Sequence, residues 1–145
     1  MESRDSIEYI QKEHLEILRL VERLAGGVSL ASKEDFSARQ KGLAELRALQ
    51  HGLAGISQHC GEEDSILESD YHHYLDAKQY DRIRTQHKNI CRLIALLLRE
   101  LPYATADSVT ELCPQGEDLV TQIREHIAYE EEMLCYVQER QLQIQ

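Results

Sequence analysis

The sequence predicts an all-α fold, an up-down-up-down antiparallel four-helix bundle. Three observations carry that prediction. Apolar residues recur at helical spacing in four stretches, strict polar/apolar alternation is absent, and only two prolines and seven glycines interrupt 145 residues. Four long amphipathic segments joined by short links favour antiparallel neighbours. The length fits one domain over residues 1–145, enough to bury roughly 70 % of the surface that the unfolded chain exposes.

The first helix is expected over about residues 5–25. Ile7, Ile10, His14, Ile17, Leu18, Val21 and Leu24 share one face, started by an Asp5-x-x-Glu8 capping pattern and stopped by Gly26-Gly27. The second, over about 33–69, begins at Ser32-x-x-Asp35. Its face runs through Phe36, Leu43, Leu46, Leu49, Leu53, Ile56, His59, Glu63, Ile66 and Leu67. Gly42, Gly52, Gly55 and Gly61 fall inside it, where bends or close helix contacts are expected.

The third helix, over about 77–101, carries Tyr80, Ile83, His87, Ile90, Cys91, Ile94, Leu97, Leu98 and Leu101 and ends before Pro102. The fourth, over about 108–141, opens at Ser108-x-x-Glu111 and carries Leu119, Ile123, His126, Glu130, Met133, Leu134 and Val137. Pro114 and Gly116 are expected to kink or delay its first turns.

Charge and composition exclude several function classes. Acidic residues outnumber basic ones 26 to 16, a formal charge of -10, and no basic block offers a phosphate-binding surface. Nucleic acid and anionic membranes are therefore poor partners. The longest apolar run, Leu93 to Leu98, is far short of the ~20 residues that a membrane span needs. The start "MESRDSIEYI" lacks the basic-then-apolar layout of a secretory signal, so a cytoplasmic location is expected. Cys60, Cys91, Cys113 and Cys135 form no CxxC pair and read as buried thiols in a reducing compartment.

The polar residues on the apolar stripes carry the functional signal. The first and third helices align at an offset of 73, matching His14 with His87 among Ile10/Ile83, Ile17/Ile90 and Leu24/Leu97. The second and fourth align at an offset of 67, matching His59 with His126, Glu63 with Glu130 and Leu67 with Leu134. Seven histidines and 18 glutamates give about one His-x-x-x-Glu by chance, so the motif's two occurrences matter less than their place on buried faces. A buried carboxylate without a partner costs several kcal/mol, and two of them beside buried imidazoles call for a cation.

The spacing suits a dinuclear site. Residues i and i+4 lie about 40° apart around a helix and about 6 Å along it, so both reach metals held about 4 Å from each other. His14 and His59 then serve one metal, His87 and His126 the other, and Glu63 and Glu130 bridge them. Nitrogen and oxygen donors suit iron, manganese or zinc. Among the neighbours, Glu62 reads as a surface ion pair before a ligand, and Tyr129 as packing. Glu131 is a lesser candidate at five-residue spacing from His126, while Glu132 points to solvent. His51, His72 and His73 read as surface or connection residues.

At these residues the sequence resembles the haemerythrin-like (HHE cation-binding) family: "EHLEIL" with His14, "HCGEEDSIL" with His59 and Glu63, "QHKNI" with His87, and "EHIAYEEEML" with His126 and Glu130. The resemblance implies a four-helix bundle with a carboxylate-bridged non-haem centre of two iron ions. Well-known members bind dioxygen and have a second histidine four residues after the one matching His87; here that position is Cys91. A thiolate ligand and a packed thiol are both readings of Cys91. Two histidines per metal leave more open coordination, which points to redox or sensing chemistry with dioxygen, nitric oxide or peroxide rather than simple carriage. Ferritin-like bundles instead use Glu-x-x-His, and no histidine here has a glutamate three positions before it. The expected function is thus binding or sensing of a small ligand rather than dedicated catalysis, with an iron-handling or metal-stabilised structural bundle as the rival.

Overall fold

A computed structural model describes residues 3–144. The chain is all-α, with α1 (Ser3–Ala31), α2 (Phe36–Ala48), α3 (Gln50–Asp70), α4 (Ala77–Glu100) and α5 (Cys113–Ile144); no strand occurs among the described residues. Short 3-10 turns at Leu101–Tyr103 and Val109–Leu112 lie in the α4–α5 connection. Among the described residues five α-helices stand where four were expected. The predicted helix over 33–69 divides at Leu49, whose backbone (φ -91°, ψ -3°) lies at the edge of the right-handed helical region, away from ideal helix angles.

That division falls at none of the glycines. Leu49 is 1 % exposed, so burial of its side chain in the core, not a local breaker, accompanies the change of direction. Gly42 instead serves close contact, as the sequence allowed. A Cβ there would lie 2.8 Å from both the Ala31 Cα and the Gly27 carbonyl oxygen, so α2 crosses α1 nearly backbone to backbone. Gly26-Gly27 do not stop α1, which continues to Ala31, and of the two only Gly27 faces the crossing. A Cβ at Gly27 would meet the Leu46 side chain at 3.0 Å.

Other boundaries shift for identifiable reasons. Asp35, read as the far end of a capping box, is itself the cap of α2 and accepts a hydrogen bond from the Ala38 amide at 3.1 Å. Ser32 instead donates back to the Val28 carbonyl at 2.7 Å, just past α1. The α1 backbone is already helical from Ser3, and the Asp5 side chain of the expected cap lies outside the described residues. Asp76 and Gln79 form a full capping box at the start of α4. Ser108 caps no helix through its side chain, and the α-helix starts only at Cys113, with Pro114 in its first turn.

Cross-helix contacts fix the directions. Ser6 bonds Asp70 and Tyr9 bonds Glu62 between α1 and α3; Tyr80 bonds the Leu67 carbonyl and His87 bonds Asp64 between α4 and α3; Arg124 of α5 reaches Glu22 of α1, and Glu131 of α5 meets His14 of α1. In each neighbouring pair residue numbers rise in opposite senses, so the helices run antiparallel. Two apolar clusters fill the interior. The larger includes Ile17, Ile56, Ile90 and Ile123, the smaller Ile10, Leu67, Ile83 and Leu134. Along every long helix the six singled-out polar residues lie between these clusters.

Candidate metal centre

His14 stands on α1, His59 and Glu63 on α3, His87 on α4, and His126 and Glu130 on α5. Each interrupts an apolar stripe, so packing that stripe carries the polar group inward with it. All six are buried. They gather into two groups that share a carboxylate: His14, His59 and Glu63 in one, and Glu63, His87, His126 and Glu130 in the other. The fold therefore brings all six candidate residues together.

Glu63 faces both groups. Its Oε2 lies 2.8 Å from His59 Nε2 and 3.2 Å from His14 Nε2, while its Oε1 lies 3.0 Å from His87 Nε2 and 3.7 Å from His126 Nε2. Glu130 spans similarly, with Oε1 2.9 Å from His14 Nε2 and Oε2 3.1 Å from His126 Nε2. Four imidazoles thus turn Nε2 toward two carboxylates.

A ring of acceptors outside the cluster orients three of those imidazoles. His14 Nδ1–H donates to Glu131 Oε1 at 2.7 Å, His87 Nδ1–H to Asp64 Oδ1 at 2.8 Å, and His126 Nδ1–H to Gln86 Oε1 at 2.6 Å. Holding the proton on Nδ1 leaves an inward lone pair on Nε2, the arrangement of a metal-binding histidine. Glu13 lies on the corresponding side of His59, at 3.7 Å.

Asp64, Gln86 and Glu13 were not singled out from sequence. Half-buried polar residues one position from a buried ligand candidate carry no periodic signal, although Asp64 directly follows Glu63 and Gln86 directly precedes His87. Glu131, the lesser candidate, supports His14 from outside the cluster, and Glu132 is exposed. Glu62 is exposed and accepts from Tyr9 at 3.1 Å. Tyr129 packs under the Arg82 guanidinium, 3.8 Å from the ring centre. His51, His72 and His73 are exposed.

Without a cation the cluster is electrostatically tense. Burial pulls His14 down, but the Glu130 and Glu63 carboxylates outweigh it and push the imidazole up to about 10. Burial likewise opposes His87, yet Asp64, Glu130 and Glu63 push it up to about 12. His126 is raised against its burial by Glu130 and Glu63. Burial drives Glu63 upward, but Glu130 and the His126, His14 and His59 imidazoles hold it well below the usual carboxylate range. Protons here do the work of positive charge that a metal ion could do.

The polar atoms that protons leave unserved test the fit of a metal. Glu130 Oε1 and Oε2 and His59 Nδ1 are buried without a hydrogen bond among the described residues. Imidazoles approach the Glu130 oxygens, but not along hydrogen-bonding directions. His87 Nε2 and His126 Nε2 also confront each other at 2.9 Å. A cation among these atoms, taking the place of the Nε2 protons, would satisfy the carboxylate and bind both imidazole nitrogens, and the nitrogen and oxygen donors suit a divalent transition metal. The residues fit a metal.

The cysteines depart from the expected set of buried thiols. All four are free, Cys60 and Cys113 are buried, Cys91 is half-buried and Cys135 is exposed. Cys91 belongs to neither metal-capable group. The Cys60 thiol facing it across α3 and α4 pulls Cys91 down to about 6 against burial, while Cys91 and burial push Cys60 up.

No helix is long and apolar enough to cross a membrane among the described residues. No curated protein and no solved structure matches the chain. A family model, Hemerythrin HHE cation binding domain, matches residues 5–137. Those residues contain all six members of the buried His/Glu cluster, and the chain belongs to the haemerythrin HHE cation-binding family.

Proposed function

We propose that His14, His59, Glu63, His87, His126 and Glu130 hold two iron ions, and that the protein binds or senses a small oxidant or diatomic ligand: dioxygen, nitric oxide or peroxide. In this reading the chain acts as one unit, with α2 and α3 together forming one arm of an up-down-up-down four-arm bundle. The observation that carries the proposal is Glu63, whose two oxygens each face a different histidine pair. A carboxylate placed so suits a bridge between two ions.

Iron, when bound, supplies one-electron redox chemistry toward such ligands. The chain contributes the rest. Glu131, Asp64 and Gln86 keep three imidazoles in one tautomer and orientation. Ile17, Ile56, Ile90 and Ile123 on one side, and Ile10, Leu67, Ile83 and Leu134 on the other, exclude bulk water and favour small uncharged ligands. Manganese or zinc would suit the same donors, and metal analysis distinguishes them.

A second reading has the metal stabilise an iron-handling or structural bundle without reacting. The number of carboxylates and imidazoles buried in one layer favours it as far as stability is concerned, because a cluster of this kind is costly when empty. Anaerobic purification followed by metal analysis and an oxygen-dependent visible spectrum separates the two. Metal without any spectral response to dioxygen, nitric oxide or peroxide selects the structural reading. No loss of metal in a His59→Ala/His126→Ala double variant would sink both.

A further inference from the structure

Beside the metal cluster lies a pair of thiols that the metal reading does not use. The antiparallel register of α3 and α4 places Cys60 opposite Cys91: one turn along the same interface His87, four residues before Cys91, meets Asp64, four residues after Cys60, and each thiol shifts the other's acidity across the gap. Cys60 is 4 % exposed and Cys91 is half-buried, so one member faces inward while the other is open to a small reagent. Cys113 and Cys135 lie elsewhere, both on α5. Cys113 is directed to the Val28 and Val109 carbonyls.

We propose that Cys60 and Cys91 are a peroxide-reducing dithiol that closes into a disulfide between α3 and α4. The Cys91 sulfur, the more accessible, attacks one oxygen of hydrogen peroxide. An S–O bond forms, the O–O bond breaks, and the departing oxygen leaves as water with the thiol proton. The Cys60 sulfur then attacks the Cys91 sulfur. The S–S bond forms, the S–O bond breaks, and a second water leaves with the Cys60 proton. Two thiols lose two electrons in all, and one peroxide becomes two waters.

The chemistry needs no bound metal, so it goes beyond the metal reading and stands or falls separately. Its location still matters to the metal cluster. Cys60 follows His59 directly, and Cys91 lies one helical turn after His87. A disulfide there would tie together the helices that carry those histidines.

The test treats the full-length protein, both as purified and after chelation, with one equivalent of hydrogen peroxide, then alkylates the remaining thiols and maps peptides by mass spectrometry. In both preparations we expect two of the four thiols to disappear, a Cys60–Cys91 cross-linked peptide to appear, and dithiothreitol to restore all four. In Cys60→Ser, Cys91 should stop at a sulfenic acid that dimedone captures. The proposal is overturned if Cys60 and Cys91 remain alkylatable while Cys135 is consumed. It is equally overturned if Cys91 proceeds to sulfinic acid with no cross-link in the wild-type chain.

Discussion

Glu130, Glu131 and Glu132 are three identical residues with three different situations. Glu130 is 1 % exposed inside the cluster, Glu131 sits at its edge holding His14 Nδ1, and Glu132 is in solvent. Glu130→Ala should therefore release metal, and Glu132→Ala should leave metal content unchanged, as read by elemental analysis. Metal loss in Glu132→Ala equal to that in Glu130→Ala would contradict the placement. The outer acceptors should act less drastically. Asp64→Ala removes the partner of His87 Nδ1 and should weaken metal affinity about 10- to 100-fold, measured by chelator competition, without abolishing binding. At this scale the sequence told much about inward residues and little about their supports. Helical phase separates Glu130 from Glu132, whereas a support such as Gln86 has no signature until α5 is packed against α4.

The helices themselves show which local signals survive packing. Phase and apolar period located α4 and the buried faces of all the long helices, and the Pro102 stop lies within one 3-10 turn of the end of α4. Glycine signals were ambiguous because glycine serves both as breaker and as spacer. Gly26 and Gly27 read locally as a stop, yet α1 continues through both, and Gly27 is where α2 approaches; Leu49, a strong helix former, takes the break. Only the tertiary crossing distinguishes these roles. Two substitutions measure it. Gly42→Ala should destabilise by about 1–3 kcal/mol in urea unfolding, because the new methyl meets α1 backbone rather than a mobile side chain. Gly55→Ala, exposed and with nothing within 4 Å of the added Cβ, should stabilise by up to about 1 kcal/mol. Similar effects from the two would mean that α1 and α2 do not cross closely at Gly42.

For the whole molecule, the proposed metal would compete with protons for one buried cluster. In the metal-free chain His14 and His87 have folded pKa values of about 10 and about 12, above the ordinary 6.5. Their stabilising contribution is fully present below about pH 6.5 and is lost as pH rises through those folded values. Glu63, depressed in the fold, contributes above about pH 4.5 and loses that contribution as pH falls. The metal-free protein should thus weaken steadily on the alkaline side of pH 6.5, as followed by thermal melts. Metal takes the place of those protons, so the gap in Tm between loaded and chelated protein should widen from pH 6 to pH 9. A gap that narrows over that range would contradict a shared cluster.

The most direct measurement at this scale is metal stoichiometry. Full-length protein loaded anaerobically with ferrous iron and freed of excess should retain about two ions per chain, and Glu63→Ala, which removes the carboxylate facing both histidine pairs, should retain clearly fewer. Fewer than about one ion per chain in the unaltered protein, or undiminished iron in Glu63→Ala, would contradict a two-metal centre built on Glu63.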